Sequence, residues 1–278
     1  MPEFGKIEST LFVPMLGRLY ASEQFPDILY DEKALGLKEK LPAGLLEQDR
    51  QGQYPLIASA SRSANMDRCI RDFLGRNPRG AIVQLGVGLE TAFYRNDNGH
   101  TRWYGVDVPD VIAYRRELLP EPEREAYLAA DAFADGWIRR VRADWAEPPL
   151  LVTAGGLFHY FPEERILGLL RMLQSSYGRI EMVFDAVSQR GLARMRKKYM
   201  KQVGHAEAEM FFHVDSAQAL AARVGGAVRV LAEEPYYRHI PRRGLKASTK
   251  LSMDVSDRLG MVKMIRLALG ESGRKDDA

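Results

Sequence analysis

Between Ile82 and Asp107 the chain reads as strand, glycine turn, strand and acid, an order that few folds accommodate. Ile82, Val83 and Leu85 form a short apolar run suited to a strand buried in a parallel sheet. Gly86 and Gly88 follow at once, giving a tight turn where a ligand can approach bare backbone. WYGVD, ending at Asp107, is a second strand that closes on an acid 21 residues beyond Gly86. An acid so placed can accept hydrogen bonds from both hydroxyls of a ribose. The pattern points to an adenosine-containing cofactor; the alternative is a glycine turn that holds no ligand.

The residues around the turn narrow the choice. A dinucleotide fingerprint needs a third glycine, which allows close helix packing beneath a pyrophosphate, and that position is Thr91. Glu90 at the same mouth would repel phosphate charge. S-adenosylmethionine has no phosphate and carries a positive sulfonium, so an acidic loop suits it better than NAD.

A chain of 278 residues has ample length for a core, as one large α/β domain or two small ones. Net charge is +3, from 40 basic and 37 acidic residues, too balanced to indicate nucleic acid as a partner. Cys69 is the single cysteine, which excludes an internal disulfide and fits a reducing compartment. It shares a helical stripe with Met66, Ile70, Phe73 and Leu74, so a buried thiol is expected rather than a nucleophile. No apolar stretch approaches 18 residues and no signal-peptide pattern opens the chain, so no membrane span and a cytoplasmic location are expected.

The first eighty residues read as a helical preface, with helices near 11–20, 31–40 and 59–75 and a loop marked by Pro42, Gly44, Gly52 and Pro55. From Gly80 onward strands alternate with helices, the signature of a parallel sheet with crossover helices. Strands are expected over 81–85, 102–106, 127–130, 150–153 and 180–184, and two more near 227–232 and 261–269. Pro162 and the acids after it open a helix with the stripe Ile166, Leu169, Leu170 and Leu173. An insert over 188–215 holds Met195, Met200, Met210, Phe211 and Phe212, which could line an adaptable pocket for a flat apolar substrate or form ordinary core. Its basic run, RMRKK at 194–198, reads as a solvated helix face.

Several motifs in order carry a resemblance: RSANMD at 62–67, GVGLET at 86–91, VDVP at 106–109, Asp131, and AGGLFHY at 154–160. Together they resemble the leucine carboxyl methyltransferase family, and within it the polyketide O-methyltransferases of the tetracenomycin type. The resemblance spans about residues 10–269. It implies a Rossmann-like class I methyltransferase fold: a seven-stranded, mostly parallel sheet with helices on both faces. That would be one domain over 1–278, with an N-terminal helical lid at 1–78 and the 188–215 insert covering the substrate pocket.

The resemblance also implies roles. Arg62 would pair with the methionine carboxylate of the cofactor, a task suited to a guanidinium. Gly86 and Gly88 would lie under the methionine moiety and Asp107 would take the ribose, with Val108 beside it. Asp131 would receive the adenine amino group, Ala132 and Phe133 would supply a backbone donor and an apolar wall, and Ala154 would close the site. The family usually carries Glu-Gly after the fourth strand, where this chain has Gly155-Gly156. An acid beside cofactor and substrate is thereby lost.

Methyl transfer from a sulfonium is an in-line displacement, so alignment can supply most of the catalysis. A carboxylate acceptor is already ionised at neutral pH, whereas a phenol benefits from a base. His159, just past the fourth strand, is the first candidate base and His213 the second, and either could instead orient a substrate carboxylate. Tyr160 could donate a hydrogen bond to the substrate, and Thr10, Phe12 and Tyr20 would contribute to the lid. The five histidines include no spacing that converges on a metal. The reading is an S-adenosylmethionine-dependent O-methyltransferase for a carboxylate or hydroxyl of a small, aromatic, polyketide-like metabolite. A methyltransferase for a protein C-terminal carboxylate, and a non-catalytic binder of the same cofactor, are the alternatives.

Overall fold

The computed structural model describes residues 11–42, 52–145, 149–176, 180–202 and 210–270, with the backbone alone for 196–202. Seven strands form one sheet: β1 (Ala81–Leu85), β2 (Arg102–Asp107), β3 (Glu125–Ala129), β4 (Leu150–Ala154), β5 (Ile180–Val187), β6 (Val228–Pro235) and β7 (Val262–Leu269). Their order is β3-β2-β1-β4-β5-β7-β6. The first five run parallel, and β7 enters antiparallel between β5 and β6. The order reverses between β1 and β4, so their carboxyl ends form the crevice where an open α/β sheet places a ligand.

β1, β4 and β5 are buried along their whole length, which is why they read as continuous apolar runs. Alternate residues feed two cores, as a strand's period of two requires. On one face Val83, Val152 and Phe184 pack with α6 (Gly136–Asp144), α7 (Glu163–Ser176) and α9 (Ala217–Val224). On the other, Ile82, Leu151 and Val183 meet α3 (Gln53–Arg76), α4 (Ala92–Asn96) and α10 (Ala247–Arg258). Cys69 lies in this second core, 1% exposed, as its helical stripe predicts. A third cluster joins α1 (Phe12–Gln24), α2 (Glu32–Leu37) and α5 (Pro109–Leu118) over Leu89 of the glycine turn. After β5 comes α8 (Gln189–Gln202).

Differences from the expected elements have physical causes. β3 begins two residues early because Glu125, a poor strand residue on paper, is buried against Arg115 at 3.2 Å. α3 begins before Pro55, which sits in the first helical turn, where its missing N–H costs nothing. β5 runs on to Val187 because β7 pairs with it throughout. Asp31 caps α2, accepting the Ala34 N–H at 2.9 Å. In α8, Arg194 is exposed as expected, while the side chains of 196–198 lie outside the described residues.

Candidate active site

Gly86 and Gly88 adopt φ +63° and +48°, a left-handed conformation that glycine takes at little cost. A Cβ on Gly86 would meet Leu157 Cδ1 at 2.9 Å, and one on Gly88 would meet Leu11 Cδ1 at 2.8 Å. The turn after β1 is therefore approached from the β4 loop on one side and from the N-terminal helices on the other. Asp107 locks it from beneath, its Oδ2 accepting the Gly88 N–H at 2.8 Å and its Oδ1 the Val108 N–H at 2.8 Å. These two bonds fix the carboxylate beneath the turn, at the carboxyl end of β2.

Three arginines hold the rest of the turn. Arg115 donates to the Gly88 and Glu90 carbonyls at 3.1 and 2.6 Å. Arg18 Nη2 donates to the Leu89 carbonyl at 2.7 Å, and its Nη1 to Glu90 Oε2 at 3.2 Å. Arg95 donates to Glu90 Oε1 at 2.8 Å, to Asp31 at 2.6 Å and to both oxygens of Asp67 at 2.7 and 3.0 Å. Ser63 and the Thr91 N–H complete the Glu90 carboxylate. Burial alone would raise the Glu90 pKa, but Arg18 and Arg95 outweigh it and hold the carboxyl well below the usual range. Asp67, deeper in the same network, is pushed up by burial despite Arg95. The sequence argument that Glu90 presents a bare charge to repel phosphate is therefore corrected: that charge is consumed by two arginines. Thr91 stands at the third glycine position as expected, its hydroxyl bonded to Asp31 at 2.5 Å.

A second buried acid stands across the crevice. Asp185, near the end of β5 and 2% exposed, accepts from Arg62 Nε at 3.0 Å and from the Gly156 N–H at 2.6 Å. It also lies 3.2 Å from His159 Nε2. Burial pushes its pKa up, but Arg62, His159 and the Gly156 N–H outweigh that and hold the carboxyl well below the usual carboxylate range. Arg62 also packs on the Gly155-Gly156 pair. A Cβ on Gly155 would meet Arg62 Cδ at 3.3 Å, and one on Gly156 would overlap the guanidinium itself. Arg62 thus lies over the two glycines, held there by Asp185 from the neighbouring strand.

The remaining expected residues are placed as follows. His159 and Tyr160 sit in a 3-10 turn, Phe158–Tyr160, with their rings 6.5 Å apart. The His159 carbonyl accepts the Phe211 N–H at 2.7 Å, so the segment from Met210 to Val214 runs beside it. Phe211 is exposed, while Phe212 is core, 1% exposed and edge-on to Phe158 at 6.3 Å. The expectation that Phe212 lines a substrate pocket is thereby corrected. His213 is half-buried. Phe12 packs edge-on against Tyr114 at 6.0 Å, over the glycine turn. Tyr20 faces elsewhere, against Phe25 and the Gln53 side chain. Asp131 is exposed, accepting the Phe133 N–H at 2.9 Å and Arg165 at 2.8 Å. Arg165 lies over the Phe133 ring, 4.4 Å from its centroid, and Ala132 and Ala154 are buried nearby in the first core. Thr10 and the side chain of Met200 lie outside the described residues. Among the described residues no three His, Cys, Asp or Glu side chains are grouped to hold a metal, and no helix is long and apolar enough to cross a membrane.

Sequence reasoning missed Asp185, Arg18, Arg95 and Arg115. Asp185 carried a usable signal, since it is an acid at the carboxyl end of a buried strand, as Asp107 is.

A parallel sheet with one antiparallel strand inserted before the last, and a glycine turn and acid at its switch point, is the Rossmann-like fold of class I methyltransferases. The chain belongs to the leucine carboxyl methyltransferase family, whose family model matches residues 17–174. It is 29% identical over 182 residues to the tetracenomycin polyketide synthesis O-methyltransferase TcmP of Streptomyces glaucescens, across 65% of this chain and 66% of that protein. It is 28% identical over 178 residues to the S-adenosyl-L-methionine-dependent methyltransferase dpfgK of Gibberella zeae, across 60% of this chain and 59% of that one. The matched region thus spans slightly under two thirds of the length of each relative. Among solved structures, magnesium protoporphyrin IX methyltransferase from Synechocystis, solved with bound SAH, has the same fold. The TM-score is 0.51 at 10% identity, over 93% of this chain and all of that one.

Proposed function

We propose that this protein is an S-adenosylmethionine-dependent O-methyltransferase whose acceptor is a hydroxyl or carboxylate of a small, aromatic, polyketide-like metabolite. The observation that carries the reading is the pairing, at one sheet edge, of a bare glycine turn locked to Asp107 with the Arg62–Asp185–His159 group. Family membership supports the cofactor, and the polyketide relative supports the class of acceptor.

The residues present fit the cofactor. Gly86 and Gly88 offer backbone that no Cβ shields, Asp107 offers acceptor capacity for the ribose, and Val108 lies beside it at the start of α5. Asp131, Ala132 and Phe133 would receive the adenine, with Ala154 closing the base of the site. Arg62 uses Nε on Asp185, and its guanidinium lies over Gly156 at the mouth of the crevice, where it would pair with the methionine carboxylate. When bound, S-adenosylmethionine supplies an electrophilic methyl group and a neutral thioether as the leaving group.

The chain's own residues supply alignment and proton handling. Phe12 and Leu11 from the N-terminal helices, with Met210 and Phe211 beside the 3-10 turn, would enclose an aromatic acceptor and exclude water. Tyr160 would donate a hydrogen bond to it, and His159, with His213 in reserve, would hold the proton of a hydroxyl acceptor. The test is calorimetric titration with S-adenosylmethionine, S-adenosylhomocysteine and NAD in parallel. Saturable binding of the first two and none of NAD is expected; binding of NAD alone would overturn the reading.

A further inference from the structure

Asp185 and His159 together define which imidazole nitrogen is basic. A carboxylate only accepts hydrogen bonds, so the nitrogen facing Asp185 Oδ2 at 3.2 Å must carry a proton. That nitrogen is Nε2. In the neutral ring the lone pair then resides on Nδ1, which is buried and has no hydrogen-bond partner among the described residues. A buried nitrogen acceptor without a donor costs free energy unless something else supplies the donor. His159 is 4% exposed, and solvent reaches it poorly.

The surroundings keep this arrangement in place. Asp185 is fixed on three sides by Arg62 from α3, the Gly156 N–H from the β4 loop and His159 from the 3-10 turn. Arg62 Nε, 3.0 Å from Asp185 Oδ2, is the permanently charged partner of that carboxylate. Tyr160 and Tyr236 are the other titratable groups near Arg62, and the Tyr236 hydroxyl is itself held on the Ala58 carbonyl at 3.0 Å.

Resting on the proposed methyltransferase reading, we infer that Asp185 is a positioning residue that locks His159 in the Nε2–H tautomer, making Nδ1 the proton acceptor for a hydroxyl substrate. As the acceptor oxygen bonds the methyl carbon, the carbon–sulfur bond breaks and sulfur keeps that electron pair. The hydroxyl proton ends on His159 Nδ1, and the Nε2–H stays on Asp185 throughout. A carboxylate acceptor would bring no proton and give the orphan nitrogen no partner.

The experiment is long-range 1H–15N correlation of the labelled full chain across a pH titration, with the His159 signals assigned by His159→Gln. In the wild type, Nε2 should show the protonated shift at every pH while Nδ1 alone moves on titration. Asp185→Asn, close to isosteric, presents an amide donor or acceptor and should mix the two tautomers. Protonated Nδ1 in the neutral wild-type ring, or an unchanged pattern in Asp185→Asn, would overturn the inference. Calorimetry with S-adenosylmethionine on the same wild-type sample separates the two levels. Absent binding defeats the methyltransferase reading, whereas binding with the wrong tautomer defeats the role of Asp185 alone.

Discussion

Two arginine-paired carboxylates stand at the same edge of the sheet, half-buried Glu90 and buried Asp185, and they are used in opposite ways. Glu90, in the loop after β1, has both oxygens filled by Arg18, Arg95, Ser63 and its own neighbour's N–H. Asp185, near the end of β5, is also satisfied, yet one of its partners keeps an unpaired atom among the described residues: the Nδ1 of His159. The first cluster closes on itself and braces a turn. The second leaves one imidazole nitrogen without a partner among the described residues. Arginine pairing is common to both, so that property alone does not mark chemistry; the unpaired imidazole nitrogen beside Asp185 separates them.

That contrast can be broken most forcefully at Arg95. Replacing it with Leu leaves Asp67 without its closest arginine and Asp31 and Glu90 with Arg18, and urea unfolding should show a loss of about 3–5 kcal/mol. A loss below about 1 kcal/mol would mean that the cluster is not a scaffold. On the other side, His159→Ala should leave stability far less affected but lower methylation of a phenol by about 10²–10⁴-fold. Initial rates on a carboxylic acid should fall far less, and equal losses on both would remove the base.

Asp107→Ala comes next, because it frees the Gly88 and Val108 amides and removes the ribose acceptor. Calorimetry should show cofactor binding weakened by about 1–3 kcal/mol, and unchanged affinity would sink that assignment. Glu90 has its folded pKa depressed, so its stabilisation is complete above the unfolded glutamate value near ~4.3 and is lost as pH falls below it. Glu90→Gln should therefore flatten the acid limb of a stability–pH curve, and a parallel curve would disprove the coupling. Smallest is Asp131→Asn, whose ion pair with Arg165 is exposed on both sides. Its effect on stability should stay within about 1 kcal/mol by thermal melting.

The strands and the cofactor turn were legible because burial on both faces writes itself as apolar runs and because glycine marks left-handed backbone. β1, β2 and β4 lie within a residue of their expected bounds. The ion-pair clusters were not legible, since their members come from positions such as 18, 31, 67, 90 and 95, which no local pattern links. Asp185 is a narrower case: the apolar run that marks β5 ends at Phe184, one residue before the acid, so the acid falls outside the expected strand. Phe212 could not be assigned from sequence because a Met- and aromatic-rich segment looks the same lining a pocket as filling a core.

α3 serves both clusters from adjacent residues, with Arg62 turned to Asp185 and Ser63 and Asp67 turned to the Glu90 network. Neighbours on a helix point about 100° apart, so one short stretch works like a shaft carrying two cams at a fixed angle. An insertion or deletion anywhere between Arg62 and Asp67 would mistime both at once. Loops around the crevice can change length as acceptors change, while the spacing within this stretch sets a limit that substitutions elsewhere cannot relax.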